Sequence, residues 1–538
     1  MTPAAPLTAV EKRALHPLFL STFSLEALRA KLPLRFPVPE DTPPSPKQEY
    51  RSHYRYLGAA ELADPQTLHN LTPFEITLRL IDFSPLRDLL AKDYYQPSRR
   101  GQRPFDPVSL FLALCLRREL SLSWRGLARL LAGEHGGGWR RLFGLVEGVT
   151  PSTSGLRYFF QHLGSELFDE LCSLCADLLY RAGLLPTHST FPGDSPKRGV
   201  SISHDLMLHP ARSRMKCAHV TAGCYQPAPR PRPAREAGHE GCDCSSAACA
   251  SHCRYTTPLD REARYIYYEG RNESADLPNQ EKTPGRHVYG YASNPDRLLD
   301  DRFACAWTLR SGFYPANQDE RTLFPDSFAQ LRSRFPWLQI GEVLADAALG
   351  YQNCLDPIWQ AGALRMVDVR AAPEDLDDEK QRQRGYNENG HPLCALGYTM
   401  LSNGYDYQRR RRKWCCAHAC QQDPSAPPPD CPYLANEHGQ VVNVARTLPD
   451  GAVRLAREIP YASPLWKKRY ARRNLSESRN GCREGMDLKR LPSYGLSHGQ
   501  REVVIGDFLQ NLRTLGRLVG EATLLAQQSH AIRWRAIS

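Results

Sequence analysis

Residues 463–480 read SPLWKKRYARRNLSESRN, and the reading of this stretch decides how the rest of the chain is assembled. Ser463 followed by Pro464 is a helix start: a hydroxyl to cap free N–H groups, then a residue whose φ is already set. No Gly or Pro interrupts the run after Pro464, so one helix is expected to continue to about Asn480. Trp466, Tyr470, Arg473 and Glu477 then recur at the i, i+4, i+7, i+11 spacing of a single face. Lys467, Lys468, Arg469, Arg472 and Arg479 crowd the rest of it. Two readings stand side by side. In one, a solvated basic helix lets Glu477 pair with its own arginines, for a few tenths of a kcal/mol each. In the other, Glu477 holds a divalent cation while the surrounding cations hold a phosphate backbone. A lone carboxylate does not decide between them; a second, on another element, is needed.

The 538 residues carry a formal charge of +11, and the positive charge is clustered. Arg409, Arg410, Arg411, Arg412 and Lys413 form one run, and Arg99, Arg100 and Arg103 form another. Clustering argues for nucleic acid as a partner more strongly than net charge does, with Arg409 to Lys413 gripping phosphates without reading sequence. No apolar run is long enough to span a membrane. The N-terminus lacks the charged and apolar regions of a secretory signal, so the expected compartment is the cytoplasm, with the protein on the nucleoid. Seventeen cysteines in such a chain point to reduced thiols, some of them on metal.

Outward from the basic helix, the chain divides by grammar. Residues 1–95 mix short apolar runs with a Pro-rich connector, an N-terminal arm with short helices. Residues 96–190 read as a helical domain of DNA-binding type. Asp106–Pro107 caps a first helix and Ser123 starts a second; a third follows Pro151, and a fourth covers Ser165 to Ala182. At residues 199–208, GVSISHDLML switches to the alternation of a strand carrying Asp205. Residues 198–370 form the first part of an α/β core, interrupted by a Cys-rich insertion at about 215–257. Its further strands are ARYIYYEG, HVYGYAS, LQIGEVL ending at Asp346, and LRMVDVR, with helices from Glu320 to Phe335 and Tyr351 to Ala361. Residues 371–460 are a second insertion rich in Cys and Arg, and residues 461–538 complete the core with helices, the last at about Gly499 to Gln528.

Asp205 in a strand and Asp346 just past a buried strand now join Glu477 on the helix. In open α/β sheets chemistry collects at strand ends. Three acids from two strands and a packed helix suit two Mg²⁺ or Mn²⁺ ions about 4 Å apart, the arrangement of in-line phosphoryl displacement. An Asp at a strand end is otherwise a turn or cap residue.

The order helical domain, strand with Asp, ADAALGYQN, then Tyr470-x-x-Arg473-x-x-x-Glu477 resembles the DDE transposases of bacterial insertion sequences, from about residue 96 onward. FDPVSLFLALCLRRELSLSWRGLARLL and TPSTSGLRYFFQHLG resemble their helical N-terminal domain. The resemblance implies a ribonuclease-H-like mixed sheet with flanking helices. It also implies metal-dependent cleavage and strand transfer of an element's DNA ends, with Asp205, Asp346 and Glu477 as catalytic ligands of two Mg²⁺ or Mn²⁺ ions, and a homodimer on double-stranded DNA. Tyr470, Arg473, Lys467 and Lys468 are then DNA contacts. Two positions depart from the family pattern. Leu206 follows Asp205 where Gly is common, and Glu484 stands where a Lys is usual, leaving Arg483 or Lys489 for that backbone contact. An inactive, zinc-containing DNA-binding protein of the same descent, and a nuclease on the same fold, are the alternatives.

Two thiol clusters are candidate structural zinc sites: Cys242, Cys244, Cys249 and Cys253 in the first insertion, and Cys415, Cys416, Cys420 and Cys431 in the second, with Cys394 and His418 nearby. Cys115, Cys172, Cys175, Cys305 and Cys354 sit in apolar runs and read as packing residues. Trp466 and Tyr470 read as docking the basic helix onto the sheet rather than stacking on a base, and His204 as a hydrogen-bonded strand-end histidine.

Overall fold

The computed structural model describes residues 24–39, 42, 49–94, 103–212, 260, 262–268, 286–368, 385–387, 391–406, 408–409, 411–421, 430–444, 458–476, 481, 485–488 and 490–537. Glu477, Arg483, Lys489, Arg410, Cys242, Cys244, Cys249 and Cys253 lie outside them.

The described chain is α/β. Helices α1 (Pro73–Leu80), α2 (Arg87–Tyr94), α3 (Pro107–Glu119), α4 (Trp124–Ala132), α5 (Thr153–His162) and α6 (Ser165–Arg181) precede the sheet. Their starts are capped as the sequence dictates: Asp106 accepts from Val108 N–H, Ser123 from Gly126 N–H and Ser152 from Gly155 N–H. The sheet contains β1 (Val200–His204), β2 (Met207–Pro210), β3 (Arg264–Tyr268), β4 (Arg286–Asp300), β5 (Cys305–Pro315), β6 (Ile340–Ala345) and β7 (Leu364–Val367). Strand β4 runs antiparallel to β1 and β2 on one edge and to β5 and β3 on the other; β1, β6 and β7 then lie parallel in that order. Helices α7 (Glu320–Arg334) and α8 (Gln352–Gln360) make the crossovers between β5 and β6 and between β6 and β7.

Three expectations change here. Residues 65–94 are not an arm. A Thr72/Glu75 capping box starts α1, and Phe74, Ile76, Phe83 and Leu86 enter the main core. Strand β4 continues through Ser293-Asn294-Pro295, which reads locally as a turn; pairing on both edges overrides that propensity. Strand β5, unassigned from sequence, is its antiparallel partner along almost its whole length.

One continuous core joins the helices to one face of the sheet, through Val200 and Ile202 of β1 and Val343 and Ala345 of β6. The last helix, α10 (Leu496–Ile537), runs through it and buries Val504, Phe508, Leu512, Leu515 and Leu518. Several polar groups on α10 meet partners on neighbouring elements. Glu502 receives Arg117 and Arg118 from α3, and Asn511 brackets Thr308 of β5, accepting from its N–H (2.9 Å) and donating to its carbonyl (2.8 Å). Cys115, Cys172, Cys175, Cys305 and Cys354 are all buried, as packing residues would be. Pro325 inside α7 cannot bond the Arg321 carbonyl; Asn353 Nδ2 of α8 donates to it instead at 2.8 Å, which ties the two crossover helices together.

The other face of the sheet is covered by residues 458–476. Trp466 and Ile459 pack on Leu299, Ala306, Leu344, Leu364 and Met366, with Tyr461, Tyr470 and Leu475 around them. The expected single helix is divided: α9 (Pro464–Tyr470) passes into a 3₁₀ turn at Ala471–Arg473 before helical residues resume. The second insertion contributes a separate antiparallel sheet of β8 (Leu401–Asp406), β9 (Arg411–Cys415) and β10 (Val441–Val444).

Candidate active site

Asp205 lies between β1 and β2, two strands that share one edge of β4 in continuous register: His204 pairs with Asp296 and Met207 with Ser293. That register sets Asp205 opposite Pro295, which has no N–H to donate, so the ladder is interrupted where the acid stands. Across the parallel pair, Ser203 aligns with Leu344. Carried two residues past the paired stretch, the same register brings Asp205 level with Asp346.

This alignment depends on a one-residue slip. Val200 pairs with Ile340, but Ser201 pairs with Glu342, so Gly341 is bulged out of the ladder. Without the slip, Asp205 would face Ala345. The bulge occurs where two glycines meet: a Cβ on Gly341 or on Gly199 would fall far inside contact distance of backbone atoms on the other strand.

Alternation along the strands then puts Ser201, Ser203 and Asp205, Glu342, Leu344 and Asp346, and Leu364, Met366 and Asp368 on the face that α9 covers. Asp346 also caps the 3₁₀ turn Ala347–Leu349, accepting from Ala348 N–H at 2.9 Å. Tyr461 Oη donates to Asp368. Arg473 Nη1 reaches Asp205 Oδ1 at 3.2 Å with both side chains partly exposed. Tyr470 stacks on Trp466 (4.5 Å, 15° between planes), and its hydroxyl pKa is raised by burial first and then by Asp368 and Asp346. Tyr470 and Arg473 are thus brought to the two aspartates, whereas Lys467 is exposed and Lys468, also exposed, sets its ammonium over the Phe191 ring at 5.5 Å.

The sequence did not disclose what holds this helix. Glu342, 1% exposed, accepts from Ser201 Oγ (2.5 Å), Arg469 Nη1 (2.7 Å) and Arg472 Nη1. Arg469 also pairs with Asp194, and Arg472 Nε with Asp301 at 2.8 Å. Two cations that read as solvated are therefore buried, neutralised by three acids from separate elements. The one available signal was Glu342 itself, a lone charge in the run LQIGEVLA that precedes Asp346.

Behind the aspartates, on the opposite face, His204 is buried with Nδ1 2.8 Å from Asp296 Oδ1 and Nε2 3.6 Å from Glu320 Oε1, its ring edge-on to Phe324. The hydrogen-bonded role read for His204 is what its geometry gives. Burial pushes the Glu320 carboxyl up to about 7, opposed by His204 and reinforced by Asp346 and Asp205. The carboxylate oxygens of Asp205 and Asp346 are hard donors that fit a divalent cation such as Mg²⁺ by donor type. Among the described residues no three His, Cys, Asp or Glu side chains stand around a common point as a metal site.

The arginine run falls partly on β9. Arg411 pairs with Asp406 at 3.5 Å, the Arg412 guanidinium lies over the Tyr405 ring and donates to Ser402 Oγ (3.0 Å), and Lys413 is exposed. No family model matches the chain, and no curated protein matches it.

Proposed function

We propose that the chain is a DDE transposase that cleaves the ends of its own DNA element and joins them to target DNA. The observation that carries this reading is the parallel register setting Asp205 beside Asp346, with Tyr470 and Arg473 of the Tyr-x-x-Arg-x-x-x-Glu run over them. The strand pattern, three antiparallel strands followed by two parallel ones on the β1 side, supports a ribonuclease-H-like core. In this proposal Asp205, Asp346 and Glu477 hold Mg²⁺ or Mn²⁺, which when bound supplies activation of the attacking hydroxyl and charge stabilisation of the leaving oxygen. Asp346, fixed by its own capping bond, presents one carboxylate oxygen in a set direction. Arg473 balances Asp205, and with a cation bound there its guanidinium would be available to a phosphate. Lys467 and Lys468, exposed beside the site, contact the DNA backbone, and Trp466 and Tyr470 keep the helix seated.

The test is cleavage and joining of duplexes carrying the sequence that flanks the gene, with Mg²⁺ present. Asp346→Asn and Glu477→Gln should each lose several kcal/mol of transition-state stabilisation, about a thousandfold in rate or more, while melting like wild type. Undiminished cleavage in either variant removes that residue from the site, and cleavage without joining turns the reading into a nuclease.

A further inference from the structure

The second insertion holds a cluster that the carboxylate site does not use. In the sheet β8–β9–β10, Leu401, Cys415 and Val441 form one cross-strand row, and Leu401 and Val441 are 60% and 50% exposed. That row faces outward and takes Cys415 with it. Trp414, paired with Ser402 and Val442, lies on the opposite face, where it is buried with Tyr386, Met400 and Cys416, and where Cys394 packs.

Three tight turns carry further cysteines, two of them, Cys394 and Cys416, on this inner face. Cys394 opens one, its carbonyl accepting from Gly397 N–H (2.8 Å); Cys416 opens a second, accepting from Ala419 N–H (2.9 Å); Cys431 opens a third, accepting from Leu434 N–H (3.2 Å). The second turn needs left-handed backbone at Ala417 and His418, and Cys420, buried, lies just past it. Gln440 links the first two turns. Its N–H donates to Cys416 Sγ (3.2 Å), its carbonyl accepts from Cys416 N–H (3.0 Å), and its Oε1 accepts from Ala395 N–H (2.6 Å). An amide donor aimed at sulfur stabilises a thiolate. Gly439 backs onto the same sulfur so closely that a Cβ there would overlap it. The chain from Cys431 returns to the second turn at His438 and Gly439, where Ala417 N–H donates to the His438 carbonyl (3.2 Å).

We infer that Cys394, Cys416, Cys420 and Cys431 are the ligands of one structural zinc ion, with Cys415 outside the set. This replaces the ligand set expected from sequence, in which Cys415 took the place of Cys394. Soft thiolates select zinc over Mg²⁺, and four of them close a tetrahedral site. Among the described residues no three of these sulfurs surround a common point; rotation of their side chains would complete the site as the thiols lose their protons to the metal. The need for the ion is physical. Among the described residues the inner face of the sheet buries Tyr386, Met400, Trp414 and Cys416, a small core for the strand that carries Arg411 to Lys413.

The experiment uses the full chain, purified with zinc and without chelator. Zinc per chain is measured for wild type, Cys394→Ser and Cys415→Ser, and cobalt-loaded spectra are taken for wild type and Cys394→His. Cys394→Ser should lose one zinc per chain and Cys415→Ser none. Cys394→His should keep the ion and shift the cobalt d–d bands to shorter wavelength, as nitrogen replaces one sulfur. Reading a difference between variants leaves any metal held elsewhere in the chain out of account. Wild-type zinc content in Cys394→Ser, a lost zinc in Cys415→Ser, or an unshifted spectrum in Cys394→His each overturns the assignment. If Cys394→Ser does not fold, the other two variants still decide.

Discussion

Glu342→Gln is the sharpest test of how the basic helix is held. The change keeps the shape of the side chain and removes its charge. In the native chain the buried network is close to neutral, with Asp194, Glu342 and Asp301 facing Arg469, Arg472 and Arg198. Glutamine leaves one uncompensated cation there, and one of its two terminal atoms becomes an N–H₂ facing a guanidinium or the Ser201 hydroxyl. Removing one partner of a buried pair costs about 3–5 kcal/mol. Each arginine keeps a second carboxylate, so the low end applies, about 3 kcal/mol. At about 2 °C per kcal/mol for a large domain, the melting midpoint falls by roughly 6 °C. Calorimetry on the purified chain reads this directly, with Lys467→Gln as the control on the solvent side of the same helix, expected within about 0.5 kcal/mol of wild type. A Glu342→Gln midpoint within about 1 °C of wild type would mean that the two arginines do not depend on it, and the account of the helix's seating fails.

Two further outcomes follow from the same region. Gly341→Val, which has no room at the bulge, should cost at least about 2 kcal/mol and abolish Mg²⁺-dependent cleavage even below the melting transition, because relief of the clash slides Asp205 toward Ala345; full activity in this variant sinks the register argument. Glu320 binds its proton more tightly folded than unfolded, so its contribution to stability is full below about 4.5 and is lost as pH rises through about 7. Glu320→Gln, always neutral, should therefore gain on wild type between pH 5 and 8 by up to about 3 kcal/mol, seen as a widening difference in melting temperature; a difference that does not change with pH refutes it.

What could be read in advance was whatever depends on local chemistry. Helix starts at Asp106, Ser123, Ser152 and Ser463 follow from a side-chain oxygen meeting free N–H groups two or three residues on, and the parallel strands follow from short segments rich in β-branched and apolar residues. The docking of Trp466 was legible from helical period alone. Passage of β4 through Asn294–Pro295 was not, since the pairing that overrides the turn comes from β5, itself invisible as a strand because Arg310, Ser311 and Gly312 break its apolar alternation. Nor were the destinations of Arg469 and Arg472. Period assigns a residue to a helix face but does not say which face meets three acids contributed by Asp194, Asp301 and Glu342.

The pairing of Asp205 with Asp346 belongs to neither class. Each acid is conspicuous at a strand end, yet counting from the strand starts misaligns them by one, because an unslipped ladder from Val200–Ile340 leads Asp205 to Ala345. The offset comes from Gly341, whose missing side chain lets β6 bulge against Gly199. Because the side-chain period of a strand is two, the same slip also turns Glu342 to the face where Arg469 and Arg472 meet it. One glycine thus fixes both the spacing of the two aspartates and the seat of the helix that brings Arg473 to them. It follows that the register and the ion network should fail together: a variant that loses one and keeps the other would show that the site is assembled by something other than this bulge.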